Sequence, residues 1–517
     1  MFQINKIKSY ITPYIPIFIG CMIFSSIIYF VLMANQLVNP YDGLWEYSYY
    51  TAGYWELSLG RWSWLYLDQT RLGISTDPLT SLITLALFSI GILRLLDIFE
   101  LTSGKPRYII CGLFLSNIAV CISLSYRYMS PTFGLAFLLN VFAAWLIVKI
   151  KNHFAAVPLS ALMIAVAMGL YQADIGCTCL VLLIHLLHLL YRKNSTIREF
   201  LICMARCIVS AILGGILYIL FLNIHLKIFH TTLSTYNGAS SYSLTNTLKN
   251  LPASIVYSYK TFYNYFFETY TLTNIFQKYK IYVVVFLLLL ILLVIACVSI
   301  WKTNKLKAIL FIVLVPLTPL ACNAVSFIAT NTGTSVQMTA PLALFIPSIT
   351  CFCLKVECKL STTVKNITLV VLALTLYGSI YQVQLDQNAM LEGKTATTSI
   401  AGDIIDRLGD EGYLNSDKEF CVLGLPSHNK LFATSVLYES ANNYAKFGNW
   451  WIDAGCSRRS WQSTFRYVCG INIPLCSATA YQTLSADAEI REMPIFPAEG
   501  SIIEKDNIVI VKVSNGY

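Results

Sequence analysis

The sequence predicts an α-helical polytopic membrane protein with a long first outer loop and a small outer α/β domain at its carboxyl end. Three observations predict that class. Hydrophobic residues make up 56% of the 517 and charged residues only 12%, a balance that a soluble globule of this size does not show. Nearly uncharged runs recur along the chain, each long enough to cross roughly 30 Å of hydrocarbon as a helix of about 20 residues. Only from residue 385 onward does ordinary charge return.

The runs lie near 13–34, 78–96, 108–126, 132–148, 154–172, 174–191, 200–224, 281–300, 306–328, 338–356 and 364–384. They predict about 11 transmembrane helices. The first run lacks a small-residue cleavage site and continues as a full span, so it reads as an uncleaved anchor rather than a secretory signal. Lys6 and Lys8, Lys105 and Arg107, Lys149 and Lys151, Arg192, Lys193 and Arg198, Lys302, Lys305 and Lys307, and Lys355, Lys359 and Lys365 fall on alternate connections. Cytoplasmic loops are enriched in such residues, which puts the amino terminus in the cytoplasm. A transmembrane domain over 1–384 then presents outer loops at 35–77 and 225–279, and an extracytoplasmic domain follows at 385–517. The formal charge of +9 reflects this positive-inside bias and implies no nucleic-acid partner.

In the tail, the alternating segment SIIEKDNIVIVKV and the turn signals Gly409, Gly424 and Gly500 predict a small mixed α/β fold. Cys421, Cys456, Cys469 and Cys476 also lie there. On an oxidising face they allow up to two disulfides, and buried free thiols are the equal alternative. Elsewhere, Cys177/Cys179 and Cys351/Cys353 point to opposite sides of their helices, which argues against a metal site. His185 and His188 share a helix face without a nearby carboxylate and read as bundle histidines. No P-loop, Rossmann fingerprint or H-E-x-x-H segment occurs, which argues against cytoplasmic nucleotide hydrolysis and zinc proteolysis.

What remains is the first outer loop, whose core reads NPYDGLWEYSYYTAGYWELSLGRWSWLYLDQTRLG. Asp42 and Glu46 are four apart, so a short helix presents both on one side, as a general base for a hydroxyl nucleophile requires. Arg61 and Arg71, with Arg127 in the short connection YRYMSP, offer bidentate bonds to a phosphate leaving group. Trp45, Tyr54, Trp55, Trp62 and Trp64 suit the faces of a sugar, and equally an interfacial aromatic belt.

Those residues carry a resemblance. An early acidic residue in the first outer loop, many spans and an outer terminal domain resemble the GT-C superfamily of polyprenyl-phosphate-sugar glycosyltransferases, and within it the type II serotype-converting glucosyltransferase family. The similar segments are Asn39 to Asp42, Gly60-Arg61-Trp62, Tyr126-Arg127 with Pro131, Tyr171-Gln172-Ala173, Gln337 to Pro341, and MPIFPAEGSIIEKDNIVIVKV. Where the family pattern leads one to expect an arginine before the tenth span, this chain has Gln337.

The resemblance implies inverting transfer of one hexose from a polyprenyl-phosphate sugar, such as undecaprenyl-phosphate-glucose, on the outer face of a bacterial plasma membrane. The acceptor is then a surface or lipid-linked glycan. Asp42 is the implied base with Glu46 as helper, Arg61, Arg71 and Arg127 the implied phosphate ligands, and Trp62, Tyr171, Gln172 and Gln337 further substrate contacts. No cofactor is required, although Asp42 with Glu46 offers a place for Mg or Mn. NYFFETYTLTN in the second loop reads as an amphipathic lid. Two other classes share the polytopic plan: a transporter or glycan flippase, and a glycan polymerase or ligase using a lipid-diphosphate donor. Spans nearly free of charge weigh against the transporter.

Overall fold

The computed structural model describes residues 12–236, 244–269, 280–328, 333–357 and 359–516. Nine helices among them are long and apolar enough to cross a membrane, from Leu79–Ile98 to Leu360–Asp410. Two of the expected runs are interrupted instead. The run 108–126 forms Pro106–Leu115 and Ile118–Ser125, bent by 43°, because Asn117 adopts extended backbone and caps the second helix by accepting from Ala119 N at 2.9 Å.

The first run breaks at Tyr29 into Ile15–Ile28 and Phe30–Ala34. A break among apolar residues strands backbone groups unless a side chain takes them up. Gln387 does so: its Nε2 donates to Ile28 O at 2.8 Å, and its Oε1 accepts from Leu32 N at 3.1 Å.

Gln387 belongs to Lys359–Asp410, a helix of 52 residues. This helix runs straight through the boundary expected at 384/385. It holds no proline, so nothing interrupts its hydrogen-bond ladder where the composition turns polar. The tail docks on that polar extension. Fully buried Asp386 accepts from Asn442 N at 3.0 Å, Asn442 Nδ2 at 2.9 Å, Tyr444 OH at 2.7 Å and Gln382 Nε2 at 3.0 Å.

The tail contains the expected sheet. Strands β1 (Glu419–Leu423), β2 (Ile502–Lys505) and β3 (Ile508–Lys512) lie in the order β1-β3-β2, with β1 parallel and β2 antiparallel to β3. Asp506 and Asn507, both at positive φ, close the β2–β3 hairpin as a two-residue turn demands. Of the four tail cysteines, Cys421 and Cys476 have side chains in contact.

Basic side chains gather at one end of the bundle, where they bind carbonyls at helix ends. Lys307 Nζ reaches Ser195 O at 2.5 Å, Arg206 Nη2 reaches Ile150 O at 2.6 Å and Lys355 Nζ reaches Glu100 O at 3.2 Å. At the opposite end the loop 35–77 meets the tail through Trp45 and Glu46 and is bonded to the connections 126–129 and 171–174 of the bundle.

Replacing Asp386 by Ala removes the acceptor of Asn442 N, Asn442 Nδ2 and Tyr444 OH, at about 1–3 kcal/mol for each donor that stays buried and unsatisfied. The expected outcome is a fall in the thermal unfolding midpoint in detergent, with faster proteolysis of the tail. An unchanged midpoint would show that this joint does not hold the tail.

Candidate active site

Asn39 starts the site. It is fully buried where the first helical run ends; its Nδ2 donates to Ser125 Oγ at 3.1 Å and its Oδ1 accepts from Tyr41 N at 3.1 Å and Gly43 N at 3.2 Å. That turn begins the one-turn helix Asp42–Trp45. A Cβ at Gly43 would fall 2.6 Å from both Asn39 Nδ2 and Ser125 O, so only glycine lets the chain pass so close. Asp42 and Glu46 consequently stand one turn apart on the same side.

Arg61 is aimed by a second turn. Gly60 sits at φ +83°, with Tyr218 OH and Gln172 Nε2 in the space a Cβ would need. The Arg61 guanidinium lies against the rings of Tyr171 and Trp64, at 5.2 Å and 5.9 Å from their centroids. Among the described residues no carboxylate pairs with it, and its buried Nε has no hydrogen-bond partner.

These groups open into one cavity of about 650 Å³. Asp42, Glu46, Arg61, Tyr171 and Gln337 line it, as does Glu56. The tail supplies another part of the wall. Arg459 Nη2 bonds Glu46 Oε1 at 2.8 Å, and Trp451 stacks on Tyr41 with centroids 4.6 Å apart. Trp45 Nε1 donates to Ser460 Oγ at 2.8 Å, fastening the loop to the tail helix Ala454–Ser463.

The three carboxylates differ in their freedom. Glu56 accepts from Tyr50 OH and from Gly53 N at 2.8 Å; Glu46 is held by Arg459. Asp42 makes no side-chain hydrogen bond or ion pair with any described residue. Burial raises its pKa above the usual aspartate value, while Arg459 and, less strongly, Arg61 oppose the rise. A carboxyl group without a bonded cation, its proton affinity lifted by burial, is what a general base needs.

Other residues singled out from the sequence lie elsewhere. Arg71 bonds Asp68 Oδ1 at 2.6 Å, Ser75 Oγ at 2.9 Å and the Tyr128 carbonyl. Arg127 pairs with Asp77 at 2.5 Å and lies over the Tyr47 ring. Both are committed to joining the loop 35–77 to the connection 126–129, so neither faces the cavity. Trp62 is buried against Phe221 and His225, and Gln172 Nε2 is spent on Leu59 O at 2.7 Å and Tyr218 OH at 3.2 Å. Gln172 supports the Gly60 turn, Trp62 packs on Gly169, and neither lines the cavity.

The second loop also departs from expectation. Its helix Leu244–Asn264 packs along the bundle, and Tyr265 is fully buried, donating to Asn117 Oδ1 at 2.8 Å. None of residues 264–268 lines the cavity; residues 270–274 of the segment read as a lid lie outside the described residues.

Sequence reasoning missed Arg459 and Trp451 and gave Glu56, an acid of the first outer loop, no role. No signal in the tail indicates that it returns to the first loop. A divalent ion does not fit these donors, since Glu46 is bound to Arg459 and two arginines act on Asp42. Among the described residues no three His, Cys, Asp or Glu side chains converge as metal ligands.

Neither the curated proteins nor the solved structures contain a match to the chain. The family model of glucosyl transferase GtrII matches residues 36–352, a stretch that includes Asp42, Glu46, Arg61, Tyr171 and Gln337. The chain therefore belongs to the glucosyl transferase GtrII family and is a glycosyltransferase of the membrane.

Proposed function

We propose that this glucosyltransferase moves one glucose from a polyprenyl-phosphate donor to a cell-surface or lipid-linked glycan on the outer face of the cytoplasmic membrane, with inversion at the anomeric carbon. The observation that carries the reading is the pairing of opposites in one cavity: among the described residues no cation is bonded to the Asp42 carboxyl and no carboxylate to the Arg61 guanidinium.

The chemistry then follows in a single displacement. An acceptor hydroxyl gives its proton to Asp42 as its oxygen attacks the anomeric carbon, and the bond from that carbon to the phosphate oxygen breaks. Charge develops on the departing lipid phosphate, where Arg61 bears on it through charge-assisted hydrogen bonds. Tyr171 and Trp64 hold the guanidinium in place from its apolar sides. The donor lipid never leaves the bilayer and carries no nucleotide, which accords with the missing nucleotide-binding motifs. Sidedness rests on the alternation of Lys and Arg, supported by the clustering of basic side chains at the end of the bundle opposite the cavity.

Asp42→Asn is expected to lower transfer by about 10²–10⁴-fold, the usual worth of a general base, while Glu46→Gln retains more activity because Glu46 is already paired. Mass analysis of surface glycans after complementation of a deletion strain reads the outcome. Addition of a hexose by Asp42→Asn at the wild-type rate would remove Asp42 from the base role.

The pH profile gives a second test. Arg459 holds the proton affinity of Asp42 down, so Arg459→Gln lets it rise. The base must be deprotonated, and the acid limb of kcat/KM should therefore move to higher pH. A limb that stays fixed or moves down would separate Asp42 from the profile.

A further inference from the structure

A second, smaller hollow of about 180 Å³ adjoins the cavity. Trp45, Glu46 and Arg459 belong to both, so the Glu46–Arg459 pair forms the partition between them. On its far side the hollow is built by Gln462, Ser463, Arg466 and Tyr467.

We propose that this hollow is the subsite for the acceptor glycan, holding a sugar next to the one that is glucosylated; the proposal rests on the reading of donor and base given above. Its position is the first argument. Asp42, Arg61 and Arg459 line one cavity, and of the two arginines only Arg459 also borders the hollow; in an inverting displacement the leaving phosphate and the incoming hydroxyl stand on opposite sides of the anomeric carbon. With Arg61 at the phosphate, the acceptor approaches from the Arg459 side, where the hollow lies.

Its chemistry is the second argument. An amide at Gln462, a hydroxyl at Ser463 and the guanidinium of Arg466 supply donors and acceptors suited to sugar hydroxyls. Arg466 is exposed and has no ion pair among the described residues, lying only against the Tyr467 ring with 5.3 Å to its centroid. Tyr467 is itself fixed by stacking on Tyr47 at 5.7 Å, so the hollow has a rigid aromatic side.

Its place in the chain is the third. Gln462 to Tyr467 lie outside residues 36–352 matched by the family model, whereas Asp42 and Arg61 lie within them. The groups read as base and phosphate ligand and those that build the hollow thus come from separate parts of the chain, brought together by the Glu46–Arg459 pair.

The test uses the purified full chain in detergent with polyprenyl-phosphate-glucose as donor and surface polysaccharide from the deletion strain as acceptor. Arg466→Ala, and Gln462→Ala with Arg466→Ala, should raise KM for the polysaccharide about tenfold, the equivalent of one or two lost hydrogen bonds. KM for the donor should stay within about twofold. Matching unfolding midpoints for wild type and variants show that the fold is kept. Unchanged KM values for both substrates, or a rise confined to the donor, would overturn the subsite and leave the transferase reading standing. A wild-type enzyme that transfers nothing from this donor would instead sink the reading on which the subsite rests.

Discussion

Asn39 is the joint from which the rest of the site takes its geometry. Its side chain satisfies two backbone N–H groups of the turn that starts the Asp42 helix while bonding to the end of Ile118–Ser125. One buried amide therefore fixes the acidic turn against the connection that carries Tyr126 and Tyr128, both of which line the cavity. Catalytic groups tolerate displacements of only about half an ångström, and a loop of this length left to water could not hold them. The second turn works in the same manner, since Gln172 and Tyr218 occupy the space that any side chain at position 60 would need. Both anchors come from the helical bundle, so the loop inherits the rigidity of the spans beneath it.

A charge inventory of the loop explains which groups remain available. Asp68 is taken by Arg71, Asp77 by Arg127, Glu46 by Arg459, and Glu56 by Tyr50 and Gly53. Removing one partner of a buried ion pair leaves an uncompensated charge and costs about 3–5 kcal/mol. Arg71 and Arg127 are thereby tied to structure. Asp42 and Arg61 are what remains, and both open into the cavity.

Much of this was legible in the sequence, and the reasons are physical. Apolar runs predict spans because burial in hydrocarbon leaves few alternatives to a helix, and Asp42, Glu46 and Arg61 stood out because two acids four residues apart and an arginine in one long loop suit base and phosphate chemistry. The breaks at Tyr29 and Asn117 were less visible: hydropathy counts side chains, whereas the break at Tyr29 is tolerated through Gln387, which lies more than 350 residues away in sequence. Arginines were over-assigned to phosphate for a related reason. An arginine that pairs with a buried aspartate and one with no carboxylate partner among the described residues look the same in sequence, and only the position of Asp77 separates Arg127 from Arg61. Arg459 and Trp451 were out of reach because their contact with Glu46 and Tyr41 depends on how the long helix Lys359–Asp410 sets the tail down.

The opposing influences on Asp42 acquire a purpose in the proposed reaction. Before substrate arrives, two arginines offset part of the desolvation that lifts its proton affinity, and the net shift stays upward. A donor phosphodiester brings a negative charge to Arg61 and cancels that guanidinium's pull on Asp42. Water displaced by the sugar increases the desolvation further. Both changes act in the same direction, and the base becomes stronger when the donor is in place. Coupling of this kind reserves proton abstraction for the occupied site, where the Glu46–Arg459 pair still borders the side from which an acceptor comes.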